Sequence, residues 1–227
     1  MNILILGSGP NVVQSANWPR APFDTIVAIN NAWRVRADWD YLVHPSDFPP
    51  DRQPTSLRST QTIVTYEDYV PAQNALGGFV YAGGTMAFTA AYWALHALRP
   101  TTLAFLGCDM TYSGTQTHFY GKGTADPLRT DVTLRSLEAK SARLQAIAAR
   151  QSCTTLNLSK DESRLVFPRA TPADLTARAR LDQSAIDHAL TLESDAGYMV
   201  PSGKYWKEEV RFDPAVIDAI DAAWLAT

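Results

Sequence analysis

With 227 residues, 46% of them hydrophobic and 19% charged, the chain has an ordinary globular composition and enough apolar surface for one well-cored domain. Its formal net charge of -3 argues against a general nucleic-acid binder, which needs a basic face against phosphate. Cys108 and Cys153 are too few for a secreted disulfide framework and read as buried free thiols.

Residues 2–6 form a continuous apolar run, as expected of a strand buried on both faces of a parallel sheet, and Gly7-Ser8-Gly9-Pro10 stops it. A short helix is expected at 12–16 and a second strand at 25–29, ending in Asn30-Asn31. A third strand at 41–43 ends in His44-Pro45-Ser46-Asp47. Pro49, Pro50 and Pro54 mark a loop before a fourth strand at 60–65. Gly83-Gly84-Thr85 opens a helix over 86–98 that Pro100 closes. The fifth strand, 102–106, ends at Gly107-Cys108-Asp109, and a polar, glycine-rich stretch follows that is long enough to be a lid. An amphipathic helix is expected at 133–150 and a sixth strand at 154–158. Thr171-Pro172 reads as a helix start running toward Leu190, and a last helix follows Asp213-Pro214.

This alternation predicts an α/β fold: a Rossmann-like, doubly wound, mostly parallel sheet over residues 1–160, with a lid at about 110–132. Residues 161–227 are expected to form a helical C-terminal extension packing on the same domain. The apolar stretch 86–98 is too short to span a bilayer, and no targeting signal is evident. A cytoplasmic protein is expected, with peripheral membrane association compatible and oligomeric state not indicated.

In such folds ligands bind beyond the carboxyl ends of the strands, and those ends are unusually polar here. Gly7, Ser8, Gly9, Pro10 and Asn11 form a turn whose N–H groups, ahead of a helix, suit a phosphate. The turn lacks the third glycine of the dinucleotide fingerprint, and Asn30 stands where a ribose-gripping carboxylate would, so NAD is disfavoured. Asn30 carries a donor and an acceptor for a ribose or base edge, and neighbouring Asn31 is a candidate substrate contact. His44 and Ser46 follow the third strand, while Gly83, Gly84 and Thr85 form a second phosphate-type loop at a helix start. Asp109 ends the fifth strand. Turn chemistry alone accounts for any one of these loops; five at one edge favour a nucleotide site.

Beyond Asp109, Tyr112, His118 and Tyr120 gather in one loop. His118 is the best general-base candidate, because imidazole titrates near neutral pH, and the tyrosines can donate to a departing phosphate. His96 lies inside a helix and reads as structural; His188 reads as a helix cap. Arg129 is a candidate contact for an anionic sugar or acceptor. Asp38-Trp39-Asp40 matches a metal-binding Asp-x-Asp pattern but precedes its strand, and no zinc spacing occurs; no metal is expected.

Taken in order, Gly7-Ser8-Gly9-Pro10, Asn30, His44-Pro45-Ser46, Gly84-Thr85, Gly107-Cys108-Asp109-Met110-Thr111-Tyr112 and His118-Phe119-Tyr120-Gly121 resemble the bacterial lipooligosaccharide sialyltransferases over residues 1–158. Pro201-Ser202-Gly203-Lys204-Tyr205 echoes a run near that family's C-terminus, adding Ser202 and Tyr205 as substrate contacts. The resemblance implies a metal-independent glycosyltransferase of surface-glycan synthesis, with no cofactor beyond a CMP-activated, sialic-acid-like donor and with a glycan acceptor. Tyr112 would hold the leaving phosphate and His118 would deprotonate the acceptor. Asn11 replaces the family's loop serine, His44 replaces an asparagine, and Tyr112 is displaced by one position. A sister resemblance, to the hydroxymethylpterin diphosphokinase-like proteins, implies Asp47 and Asp109 on magnesium and pyrophosphoryl transfer from ATP. A non-catalytic nucleotide- or glycan-binding module is the third alternative.

Overall fold

Short apolar strands are stable when both faces are covered, and this sheet is covered on both. The computed structural model describes residues 1–112, 116–123 and 129–227. Six strands among them, β1 (Asn2–Leu6), β2 (Thr25–Ile29), β3 (Tyr41–Val43), β4 (Thr62–Val64), β5 (Thr102–Leu106) and β6 (Thr154–Asn157), form one parallel sheet of order β4-β3-β2-β1-β5-β6. Leu4 of β1 lies between Ile26 of β2 and Ala104 of β5, so the strand order reverses at β1 and β5. Beyond these two strands the chain goes to opposite faces of the sheet, Val12 after β1 to one and Leu137 after β5 to the other, and in such sheets ligands bind at this switch point.

The two faces are covered differently. Ile3, Ile5, Val27 and Phe105 point into a core built with α1 (Tyr66–Asn74), α2 (Phe79–Ala82), α3 (Met86–Leu98), α4 (Leu137–Ala149), α5 (Gln183–Ala196) and α6 (Pro214–Leu225). Leu4, Leu6, Ile26, Ala104 and Leu156 point the other way, where Val12, Ala32, Trp39 and Leu158 cover them. Val12 and Ala32 belong to 3-10 helices at Pro10–Asn17 and Asn30–Arg34, and among the described residues this second layer contains no α-helix.

Several local expectations change. The short helix expected after β1 is present as a 3-10 helix, Pro10–Asn17, while β4 is shorter than predicted. No helix starts at Thr171: Thr171 and Asp174 exchange backbone hydrogen bonds in a tight turn. Leu175 and Ala177, spaced by two as in extended chain, then pack on the second face of the sheet. The helix begins instead at α5, whose N-cap Asp182 accepts from the N–H groups of Ser184 and Ala185. His188 therefore lies inside α5, exposed, and caps nothing. The sequence also missed α1, which contains Pro71; its capping box, Thr65 with Asp68, was the available signal.

The C-terminal extension is fastened by buried charge. Arg143 of α4 donates to both carboxylate oxygens of Glu193 on α5, at 2.6 and 2.8 Å, to Tyr92 Oη at 2.7 Å and to the Leu76 carbonyl at 2.8 Å. Trp224 of α6 donates its indole N–H to the same glutamate at 2.8 Å. Burial opposes the charge on Arg143, but Glu193 and Tyr92 outweigh it and hold the guanidinium protonated. Lys140 and Asp221 form a second buried pair at 2.7 Å. Among the described residues, no helix is long and apolar enough to cross a membrane.

Candidate functional site

The glycines of the first loop serve packing before anything else. Gly7 N–H donates to the Leu106 carbonyl and Gly9 N–H to the Gly107 carbonyl, both at 2.8 Å, so the loops after β1 and β5 are in direct contact. A Cβ at Gly7 would collide with the Gly107 carbonyl and lie 2.6 Å from Cys108 Sγ; one at Gly9 would lie 2.9 Å from the same carbonyl. Gly107, at φ +72°, faces back onto Val12. This corrects the expectation that both glycine N–H groups are available to a phosphate. Among the described residues, the Ser8 and Asn11 N–H groups are the loop's donors left without a partner, since Pro10 has none.

Around this crossing the strand ends enclose a cleft of about 1290 Å³. Of the site residues named from sequence, all but His44 and Gly83 line it. His44 is buried, with Nδ1 2.9 Å from the Pro45 carbonyl and its ring against Phe48. Gly83 ends α2 at φ +93°, where a Cβ would meet Phe88 and Lys140. Both positions therefore shape the cleft from behind its wall.

Asn11 is held from within the protein. Its Nδ2 lies 2.7 Å from Asp109 Oδ2, 2.8 Å from Ser159 Oγ and 2.9 Å from Asp161 Oδ2. The amide has two hydrogens for three acceptors, and Asn11 Oδ1 and Asp109 Oδ1 are buried without a partner among the described residues. Asn30, at φ +52°, and Asn31 likewise keep buried carbonyl oxygens unpartnered in the cleft wall. Asp161 was not anticipated, because it follows β6 and meets Asn11 across 150 residues of chain. Arg52, in a 3-10 turn beyond β3, also lines the cleft and was likewise missed; it brings a cation to the cleft wall.

Thr85 caps α3 by accepting from Phe88 N–H at 3.4 Å, so the helix N-terminus faces the cleft. The Gly84 N–H donates to Thr133 Oγ1 at 3.0 Å. Asp131 accepts from the Thr133 N–H and hydroxyl at 2.8 and 2.7 Å, from Tyr205 Oη at 2.9 Å and from Arg129 at 2.8 Å. Burial opposes ionisation of Asp131, yet these donors outweigh it and hold the carboxyl below its usual range. The network thereby joins the loop before α3, residues 129–133 and the C-terminal residues around Tyr205. A Cβ at Gly84 would fall onto Thr133 Oγ1 and 2.6 Å from Tyr205 Oη. Gly84→Ala is therefore expected to lower stability by about 1–3 kcal/mol, the usual range for overpacking, measurable in a urea melt.

On the lid side, His118 and Gly121 form a small bridge, and Phe119 N–H donates to the Ser8 carbonyl at 3.0 Å, docking the segment on the first loop. The His118 ring stacks on Tyr120 with centroids 5.1 Å apart, and Tyr112 lies 6.1 Å away. His118 Nδ1 is 2.9 Å from Thr117 Oγ1; with Nδ1 protonated and donating there, Nε2 carries the lone pair. Partial burial lowers the His118 pKa below 6.5, leaving the ring neutral at neutral pH. Burial pushes Tyr112 up to about 12, so its hydroxyl stays a donor. Met110 and Tyr112 both hold left-handed backbone, φ +55° and +49°, a cost of order 1–3 kcal/mol each that aims this loop. The rest of the expected lid, residues 113–115 and 124–128, lies outside the described residues.

Asp38 and Asp40 stand at the opposite edge of the sheet. Arg36 and Arg20 take up their carboxylates, and Asp40 also accepts the Ile26 N–H at 2.8 Å, which makes the pair a clamp on β2. Among the described residues, no group of three or more His, Cys, Asp or Glu side chains is arranged to hold a metal ion. No protein-family model, curated protein or solved structure matches this chain.

Proposed function

We propose that the cleft binds a CMP-activated, sialic-acid-like sugar and transfers the sugar to a glycan hydroxyl without a metal ion. The observation that carries this reading is the pairing of a neutral, half-buried imidazole with a protonated tyrosine beside the crossed nucleotide loops. A base and a hydrogen-bond donor are what a displacement at an anomeric carbon requires. His118 Nε2 takes the acceptor proton as the acceptor oxygen bonds to that carbon. CMP departs with the bonding pair, and Tyr112 donates to its phosphate as the charge grows. Arg52 and the N–H groups of Ser8 and Asn11 supply the nucleotide end with positive charge and donors. The ordered resemblance to the lipooligosaccharide sialyltransferases supports CMP as the nucleotide.

Magnesium-dependent transfer from ATP has one observation in its favour: Asp109 and Asp161 both approach Asn11, and Asp109 keeps a buried oxygen unpartnered. A thermal-shift panel of CMP, CDP, UDP, GDP and ATP, each with and without chelator, separates the two. CMP at about 100 times its Kd is expected to stabilise the protein by about 2.7 kcal/mol, roughly 5–10 °C, regardless of chelator. A shift confined to ATP and abolished by chelator would replace the first reading with the second. CMP binding with neither transfer nor hydrolysis of a CMP-sugar would leave a binding module.

A further inference from the structure

The cleft wall also carries two large aromatic side chains that the proposed chemistry does not use. Trp206 and Tyr66 line it yet remain 55% and 51% exposed. They come from distant parts of the chain, Tyr66 from the first turn of α1 and Trp206 from the 3-10 turn at Tyr205–Lys207. Behind them the aromatic packing is tight. Tyr205 stacks on Phe79 with centroids 6.2 Å apart and meets the Trp206 ring edge-on at 5.4 Å. Tyr205 itself is buried and tied to Asp131, so the turn presenting Trp206 is anchored to the network beside the lid.

Large aromatic rings left open to water inside a concave wall sacrifice the burial that normally stabilises them, which marks a surface built for contact. Their faces are apolar and π-rich, and Lys204 in the same wall adds a hydrogen-bond donor. This combination matches a pyranose, which has an apolar C–H face and a rim of hydroxyls. Space agrees: about 1290 Å³ exceeds the ~300–1,000 Å³ of a typical single-ligand pocket, leaving room for a second substrate beside a nucleotide.

We infer that Trp206 and Tyr66 form the acceptor subsite, a shelf on which a pyranose of the acceptor glycan stacks. The inference rests on the glycosyltransferase reading, but it is tested by binding alone.

The probes are methyl β-D-galactopyranoside, methyl β-D-glucopyranoside and CMP, added to protein labelled with 5-fluorotryptophan. Trp206→Phe assigns the Trp206 signal among those of the six tryptophans. The expected result is a Trp206 shift that saturates with a pyranoside and persists when CMP is present. Trp206→Ala should weaken pyranoside binding at least about tenfold, while Trp206→Phe, which keeps a ring, retains most of it. CMP affinity should stay within about twofold in both variants. A Trp206 signal that no pyranoside moves would overturn the shelf, and one moved by CMP alone would make it a nucleobase platform. If pyranosides bind and CMP does not, the shelf stands and the donor assignment falls.

Discussion

Replacing His118 by alanine is expected to lower sugar transfer from a CMP donor by roughly 100- to 10,000-fold, the usual contribution of a positioned general base, while leaving CMP affinity nearly unchanged. The ring lies in the segment after β5, fixed by Thr117, Tyr120 and the docking of Phe119 on Ser8, and its removal takes nothing from the crossed glycine loops. The pH profile is an independent check. Burial depresses the imidazole pKa, so the basic form prevails from below 6.5 upward. The rate in wild type should rise with pH through a limb whose midpoint lies under 6.5 and then level off. That limb should vanish in the residual rate of His118→Ala. Full activity in the variant, or an unchanged acid limb, would remove His118 from the chemistry.

Glu193→Ala carries the largest expected effect on stability. Glu193 is the acceptor for Arg143 and Trp224, and its backbone carbonyl accepts from Tyr81 Oη at 2.7 Å. Removing the carboxylate leaves a buried guanidinium with Tyr92 and a backbone carbonyl as its remaining hydrogen-bond partners. Breaking one half of a buried pair typically costs about 3–5 kcal/mol, equivalent to roughly 10 °C in Tm for a chain of this size. Differential scanning calorimetry reads this directly. Removing both charges with Arg143→Met and Glu193→Leu should recover much of the loss, because the penalty comes mainly from the stranded charge. A single variant that melts like wild type would show that water reaches Arg143 and that the extension is held by apolar packing alone.

The two effects separate cleanly in space. The ion pairs sit among the helices on one face of the sheet, whereas His118 sits above the carboxyl ends of its strands. Tyr205 is the exception: it belongs to the extension, yet its hydroxyl reaches Asp131, just before α4. Anchoring the C-terminal residues on α4 thus also positions part of the cleft wall.

All six strands were legible in the sequence, because an apolar run bounded by Gly, Pro or Asn is a local property of the chain. So was the polarity of the strand ends, which brought attention to Asn30, Asp109, Tyr112 and His118. Apart from α1, whose capping box was a local signal, what escaped depends on a partner far along the chain. Gly7 and Gly9 read as phosphate-loop glycines, but their neighbour is the β5 loop, about a hundred residues away, and its closeness is what forbids a side chain. Asn11 read as a ligand donor, and Asp161, 150 residues on, claims its amide. The 171–182 segment read as helix from its cap and proline, but the bare second face of the sheet recruits Leu175 and Ala177 as extended cover. Local pattern determined which segments are strands and where polar groups collect. Tertiary packing alone decided which of those groups remain available to a ligand, because hydrogen-bond capacity is exhausted by whichever partner the fold brings nearest.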